Sequence, residues 1–192
     1  MSLEDIKANV STQFMYSGGA NFETHTAYQK NGVFKFYPTL KFALYTLMYL
    51  ALAIFSYYFG MQLWPIDNGL SIIGFILLGA SLVFLWAFLY FLKDYLIKIV
   101  FNKKLGYYYK GYLNIKFFRF NKVNLKDIVA IQILGEITTE QLAPFNSFEL
   151  NLVLKDSDRV HAIDHSNLKS IIKDAKSLSD FLDVPIWTNE SQ

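Results

Sequence analysis

The chain has 192 residues, a formal net charge of +2, 53% hydrophobic residues and no cysteine. That length suits one ordinary domain, or a small domain with a membrane anchor, and an aromatic content of 18% is high for a soluble protein. A net charge this close to zero argues against nucleic acid as a partner, and the lack of cysteine removes disulfide frameworks and thiol nucleophiles.

Residues 1–17 have a mixed composition without a period and are expected to be mobile or loosely attached. In NFETHTAYQKNGVFKFYP, Phe22, Thr24, Thr26 and Tyr28 alternate with more polar neighbours, and Val33 to Tyr37 is rich in strand formers. Asn31-Gly32 between the two runs fits a type I′ turn, whose central residues both need positive φ. Pro38 ends the second run. This predicts a juxtamembrane β-hairpin inside an N-terminal cytoplasmic segment, residues 1–40.

From Phe42 to Ile66, and again from Asn68 to Leu92, there is no charged residue. Each run is 25 residues long, above the roughly 20 needed to cross a hydrocarbon core. Between Leu70 and Leu92 stand 15 Leu, Ile, Phe and Val residues, which contribute about −4 to −9 kcal/mol to insertion. The first run has 8 such residues between Phe42 and Gly60, and its Tyr57, Tyr58 and Trp64 suit an interfacial aromatic belt. A signal peptide is excluded by position, because Lys7, Lys30, Lys35 and Lys41 all precede the run. A buried soluble hairpin is excluded by size, because the remaining chain cannot supply a core that hides both runs. The expectation is a two-helix transmembrane hairpin over residues 41–92, with spans at about 42–60 and 70–92. MQLWPIDNGL between them has no Lys or Arg, while lysines flank the outer ends. The positive-inside rule then puts both termini on the cytoplasmic side.

After Leu92 the pattern changes. YLIKIVFNKKLGYYYKG sets two strand-like runs about a turn at Asn102 to Gly106, YLNIKFFRF continues them, and VNLKDIVAIQIL leads into a further strand. A longer loop follows from Gly135 to Ser147, and FELNLVLKDSDRVHAID turns near Asp156 to Asp158. Leu168, Ile171, Ile172, Ala175, Leu178 and Leu182 recur at helical steps, marking a helix from Asn167 to Leu182 with Ser166 placed to cap it. Phe181 and Leu182 are expected to pack into the sheet, and Pro185 forbids further helix. Strands closed by one amphipathic helix give an α+β order. It matches the topology of a pleckstrin-homology-like β-sandwich, here a cytoplasmic domain over residues 93–192.

Five stretches carry a family likeness: NGLSIIGFILLGASLVFLW, FNKKLGYYYKGYLNIKFFRF, LKDIVAIQI, LNLVLKDSDRVHAI and the ending LSDFLDVPI. With two close-set apolar helices ahead of a β-rich domain, residues 38–187 resemble the photosystem I assembly factor family of chloroplasts and cyanobacteria. The chain departs from that pattern at Ser170 and Ile172, where family members tend to carry acids, and in the added hairpin with GGANFETHT. That start, and DHSN before the last helix, resemble bacterial relatives outside photosynthesis. The resemblance implies a non-catalytic membrane scaffold or assembly factor in a bacterial inner membrane rather than a thylakoid, acting on a different client. None of the shared stretches is catalytic.

Between Lys93 and Lys126 stand nine basic residues and one acid, Asp94. Lys93, Lys98, Lys103, Lys104, Lys110, Lys116 and Arg119 form the candidate face. It is read as holding the domain to an anionic leaflet, at about 1 kcal/mol per base, as binding an acidic partner, or as ordinary positive-inside excess. In GEITTEQLAPFNS, the candidates for a partner-binding loop are Gln141, Pro144 and Phe145, the last taken as exposed. His161 and His165 invite a zinc reading, but four residues of strand span about 13 Å, too far to share one ion. Asp164, His165 and Ser166 are read instead as a turn that hydrogen-bonds the start of the helix. YSGGANFETH is read as a flexible lead into the hairpin, because Gly18-Gly19 without a following helix makes no phosphate loop.

No GxSxG, HExxH, Walker or Rossmann motif is present, so no catalytic residue, cofactor or metal is assigned. The expected partners are the bilayer, one protein client or complex and, as an alternative, anionic lipid. Two other roles remain open: an immunity or regulatory protein that binds a single toxin or enzyme, and a lipid-responsive adaptor.

Overall fold

Backbone alternation through Val33–Pro38 sends Phe34 and Phe36 to one side and Lys35 and Tyr37 to the other. The fold depends on where the two phenylalanines go. The computed structural model describes residues 2–16, 19–64, 69–112, 119–138 and 145–188, with backbone alone at 136–138. The chain runs through α1 (Leu3–Asn9), β1 (His25–Lys30), β2 (Val33–Pro38), α2 (Leu40–Leu63) and α3 (Leu70–Leu96). It continues through β3 (Ile97–Asn102), β4 (Tyr107–Tyr112), β5 (Arg119–Asn124), a 3-10 turn and β6 (Ile128–Thr138). Then come β7 (Phe145–Leu154), β8 (Arg159–His165), α4 (Leu168–Leu182) and β9 (Ile186–Thr188).

β1 and β2 form the expected hairpin, and Asn31 and Gly32 at its tip have φ of 52° and 76°, as a type I′ turn requires. β2 then pairs antiparallel with β3 across the two long helices, Phe34 opposite Phe101 and Phe36 opposite Ile99. One sheet therefore has the order β1-β2-β3-β4-β5, and a second has the order β8-β7-β6-β9, in which β9 runs parallel to β6. Phe34, Phe36, Ile99, Phe101 and Tyr108 from the first sheet share a core with Ile131, Leu150, Leu152 and Ile163 from the second. α4 adds Ile171, Ala175, Leu178 and Phe181 to it. The Phe34 ring meets those of Phe36, Phe101 and Phe181 at 5.3, 5.9 and 5.6 Å between centroids.

The domain boundaries differ from those expected. Residues 1–39 and 97–192 form one compact unit and residues 40–96 another, because the β2–β3 ladder joins the two outer segments. The hairpin is thus part of the β-domain rather than a separate juxtamembrane addition. Nor are the first residues loosely attached. Ser2 and Asp5 each accept the other's backbone N–H in a capping box, which starts α1. Ile6 and Val10 then bury themselves against Ala130, Val153 and Trp187 on the outer side of the second sheet. The last helix is capped by Asn167, not Ser166: Asn167 Oδ1 accepts from the backbone N–H of Lys169 and Ser170 at 2.9 and 3.2 Å.

The second unit consists of α2, with 24 residues, and α3, with 27. At 1.5 Å per residue they measure about 36 and 40 Å, more than a hydrocarbon core of about 30 Å. Both are long and apolar enough to cross a membrane, yet only 22% and 11% of their most apolar windows are buried. The core helix of a soluble protein hides such a surface; here Ile54, Phe55, Ile72, Ile76, Leu82 and Trp86 are all exposed. The helices meet through small residues, Ala53, Ser56 and Gly60 on α2 and Gly74 and Ser81 on α3. A Cβ placed on Gly74 would lie 2.6 Å from Trp64 N and 3.0 Å from Gly60 O. α3 also runs four residues past the span expected, taking in Tyr95 and Leu96 at the start of the strand-like run YLIKIV.

Gly74→Ala is expected to lower the stability of the hairpin by about 1–3 kcal/mol through overpacking, read from the unfolding midpoint of the detergent-solubilised chain. An unchanged midpoint would mean that the backbones do not approach there. Ile6→Ala should cost the β-domain about 2–5 kcal/mol, seen as a lower melting temperature; loosely attached N-terminal residues would give no change.

Candidate functional site: a basic tyrosine face and a histidine corner

The core side chains occupy one face of the five-stranded sheet, so alternation gives the opposite face its own set. That set is Tyr28 and Lys30 from β1, Lys35 and Tyr37 from β2, Lys98 from β3, and Tyr107 and Tyr109 from β4. From β5 it includes Arg119 and Lys122. Simple alternation would separate these two, but an irregularity in the β4–β5 ladder, with Asn121 at φ 49°, inserts one residue and brings both to the same side. None of the five strands contains Asp or Glu.

Three cations of this face, Lys35, Arg119 and Lys122, lie on its rings. The Arg119 guanidinium stands 4.4 Å from the Tyr109 ring, and its Nη1 donates to Tyr107 Oη at 2.8 Å. Lys122 Nζ is 4.1 Å from the Tyr107 ring and Lys35 Nζ 5.9 Å from that of Tyr37. Each such contact contributes about 0.5–1 kcal/mol and leaves the charge in place. Tyr28, Lys35, Val100 and Tyr109 align across four strands. Val100 and Tyr109 are buried at the centre of the face, while Tyr28, Lys30, Tyr37 and Lys122 are exposed at its margin.

The seven basic residues expected to act together do not share a face. Lys98 and Arg119 belong to the tyrosine face, and Lys104 is exposed in the turn before β4. Lys103 instead sits 4.7 Å from the Phe181 ring of α4. Lys110 shares the inward side of β4 with Tyr108 and reaches His161. Lys93 lies in α3 beside Asp94, at 3.4 Å, and Lys116 falls outside the described residues. Lys30 and Lys35 were missed because nothing in the sequence shows that their hairpin pairs with β3. Of the expected partner loop, Gln141 and Pro144 lie outside the described residues. Phe145 opens β7 opposite Thr138 and is half-buried, not exposed.

The three histidines converge, and His165 is not in a turn that hydrogen-bonds the start of the helix. His25 and His165 are buried. The Thr24 hydroxyl donates its one proton to the Asp164 carbonyl at 2.6 Å, so His25 Nδ1 is the donor in its 2.9 Å bond to Thr24 Oγ1. His161 Nε2 donates to Asp164 Oδ1 at 3.0 Å, which leaves Nδ1 to accept from Lys110 Nζ at 3.4 Å. The Tyr16 ring meets His161 edge-on at 5.1 Å, and His165 Nε2 lies 3.5 Å from Asp174 Oδ2 on α4. Asp164 and His165 therefore tie β8 to β1 and α4 rather than capping the helix. Among the described residues no group of three His, Asp or Glu side chains could hold a metal ion.

The glycine-rich lead is likewise a docked strap where described. Met15 N–H donates to the Glu149 carboxylate at 3.0 and 3.3 Å, and Ala20 N–H donates to Ser147 Oγ at 3.1 Å. A Cβ on Gly19 would come within 1.8 Å of that Oγ, so the position needs glycine. Gly18 lies outside the described residues. GGANFETH and DHSN, far apart in sequence, thus meet on β7 and β8.

Burial, then the nearby charges of His165 and Lys110, pushes His25 down to about 3 from its ordinary 6.5. Burial also pushes the Tyr108 phenol far above its usual range. No family model, curated protein or solved structure matches the chain.

Because the unfolded chain takes up a proton at His25 near 6.5 and the folded one only near 3, stability is full above that higher value. It falls as the pH drops between the two, by up to about 1.4 kcal/mol per pH unit. Melting curves from about pH 7 to about pH 4 should show this slope, and His25→Asn should flatten it. An equal slope in the variant would place the proton elsewhere.

Proposed function

We propose that the protein is a non-catalytic membrane scaffold, an assembly factor for a membrane complex, with a pleckstrin-homology-like domain on the cytoplasmic side of a bacterial inner membrane. The observation that carries this reading is the point at which the apolar helices join the domain. They are inserted between two neighbouring strands of one sheet, with Thr39 alone between β2 and α2 and no residue between α3 and β3. A terminal anchor would leave the domain on a single tether of free length; here it is joined twice, through its own ladder.

The length, composition and outward-facing apolar side chains of α2 and α3 support spanning. The lysines outside the two runs, and their absence between them, support cytoplasmic termini. Two sheets closed by a C-terminal helix support the pleckstrin-like assignment. The likeness of residues 38–187 to the photosystem I assembly factor family supports an assembly role, with a client outside photosynthesis.

Leu82 is exposed on α3, so Leu82→Arg leaves the helix contacts intact. A charge at a membrane centre costs about 2.5–3.5 kcal/mol. Leu82→Arg together with Ile76→Arg, which is also exposed, therefore costs about 5–7 kcal/mol, comparable to the whole insertion gain, and this double variant should lose retention in carbonate-washed membranes. A helix that faced water would tolerate both arginines, and unchanged retention would end the spanning reading. The role itself is tested by pull-down of the tagged chain from host membranes in mild detergent. The expected result is one dominant, partly assembled membrane complex. A single soluble partner at a one-to-one ratio would instead favour the immunity or regulatory role.

A further inference from the structure

We propose that the basic tyrosine face of the five-stranded sheet docks on the anionic headgroups of the leaflet beside the hairpin. The proposal rests on the membrane-anchored reading and adds the chemistry of a second attachment.

Its sign points to a surface rather than a protein partner. The five strands that carry Lys30, Lys35, Lys98, Arg119 and Lys122 contain no Asp or Glu, and Asp127 and Asp156 border Lys122 at the margin of the face. Protein interfaces favour arginine and are depleted of lysine, whereas four of these five cations are lysines. The rings point the same way. Tyr28 and Tyr37 are 48% and 40% exposed, and tyrosines with an apolar body and a polar tip sit at headgroup level. Lys35 and Lys122 lie along tyrosine rings, which holds a charged head over an apolar stem. Connectivity provides the third argument. β2 and β3, which carry Lys35, Tyr37 and Lys98, are the strands that continue directly into the two apolar helices. A basic patch of this kind reads charge without selecting one headgroup, and each base strengthens the attachment about fivefold.

The chain contains no cysteine, so single-cysteine labels report cleanly. Full-length protein carrying a polarity-sensitive fluorophore at Thr26→Cys, on this face, or at Lys176→Cys, exposed on α4, would be placed in nanodiscs. One set would contain phosphatidylcholine alone and the other phosphatidylcholine with phosphatidylglycerol. The label at 26 should shift to the blue and resist an aqueous quencher only in the anionic discs. That effect should disappear in high salt, while the label at 176 stays unchanged. Lys30→Gln with Lys122→Gln should weaken the preference by about thirtyfold. An identical signal in both discs, no signal in either, or a response to polyglutamate in neutral discs without one to anionic lipid would each overturn the proposal. A chain that does not co-elute with the discs overturns the anchored reading, and this proposal with it.

Discussion

The pairing of β2 with β3 is the constraint on which the rest of the molecule hangs. Four residue pairs, from Val33 with Asn102 to Phe36 with Ile99, join segments that lie on either side of Leu40–Leu96. Closing so long a loop has an entropic cost that grows with the logarithm of its length. The helical hairpin reduces that cost, because the start of α2 and the end of α3 already lie together, with the Phe42 and Tyr95 rings 5.8 Å apart. Once closed, the ladder delivers Phe34 and Phe36 to Phe101 and Phe181, and the sandwich acquires its central cluster. Without it, the second sheet and α4 would face a sheet lacking two strands.

The same alternation that builds the core decides where charge goes. Lys35 and Lys98 lie outward because Phe34, Phe36 and Ile99 lie inward. Lys110 is the exception among the strand lysines, sharing the inner side with Tyr108 and ending at His161. Its ammonium ends beside His161 at the seam where β1, β8 and α4 come together, near Asp164, Asp174 and the other histidines. Polar groups in such a place are costly unless each finds a partner; the bonds through Thr24, Asp164 and Asp174 supply several, while the buried His165 Nδ1 has no hydrogen-bond partner among the described residues. On the outer face, Lys35, Arg119 and Lys122 lie against tyrosine rings instead.

Local signals were legible in the sequence where the physics is local. The Asn31-Gly32 turn, the two uncharged runs, the turn at Asp156 to Asp158 and the amphipathic period of α4 all declare themselves within a few residues. α1 is only seven residues long, so its signals, the Ser2–Asp5 pair and the Leu3, Ile6 and Val10 steps, are too few to stand out in the sequence. Non-local facts were hidden. Nothing near Lys30 or Lys35 shows that their hairpin joins β3, and nothing near His25 shows that it meets His165. A bulge as small as the one at Asn121 was enough to move Lys122 onto the face of Arg119. The strap along β7 is invisible for the same reason, since the partners of Met15 and Ala20 lie more than a hundred residues away.

The split sheet also sets an order of events during synthesis. β1 and β2 leave the ribosome first and cannot complete their sheet until β3 follows, after both helices have been made. At about 5–20 residues per second, that wait lasts roughly three to twelve seconds, with Phe34 and Phe36 lacking their final neighbours. A chain whose hairpin has not folded back cannot bring β3 to β2 at all. Completion of the β-domain is therefore a built-in report that the helical hairpin has already turned around.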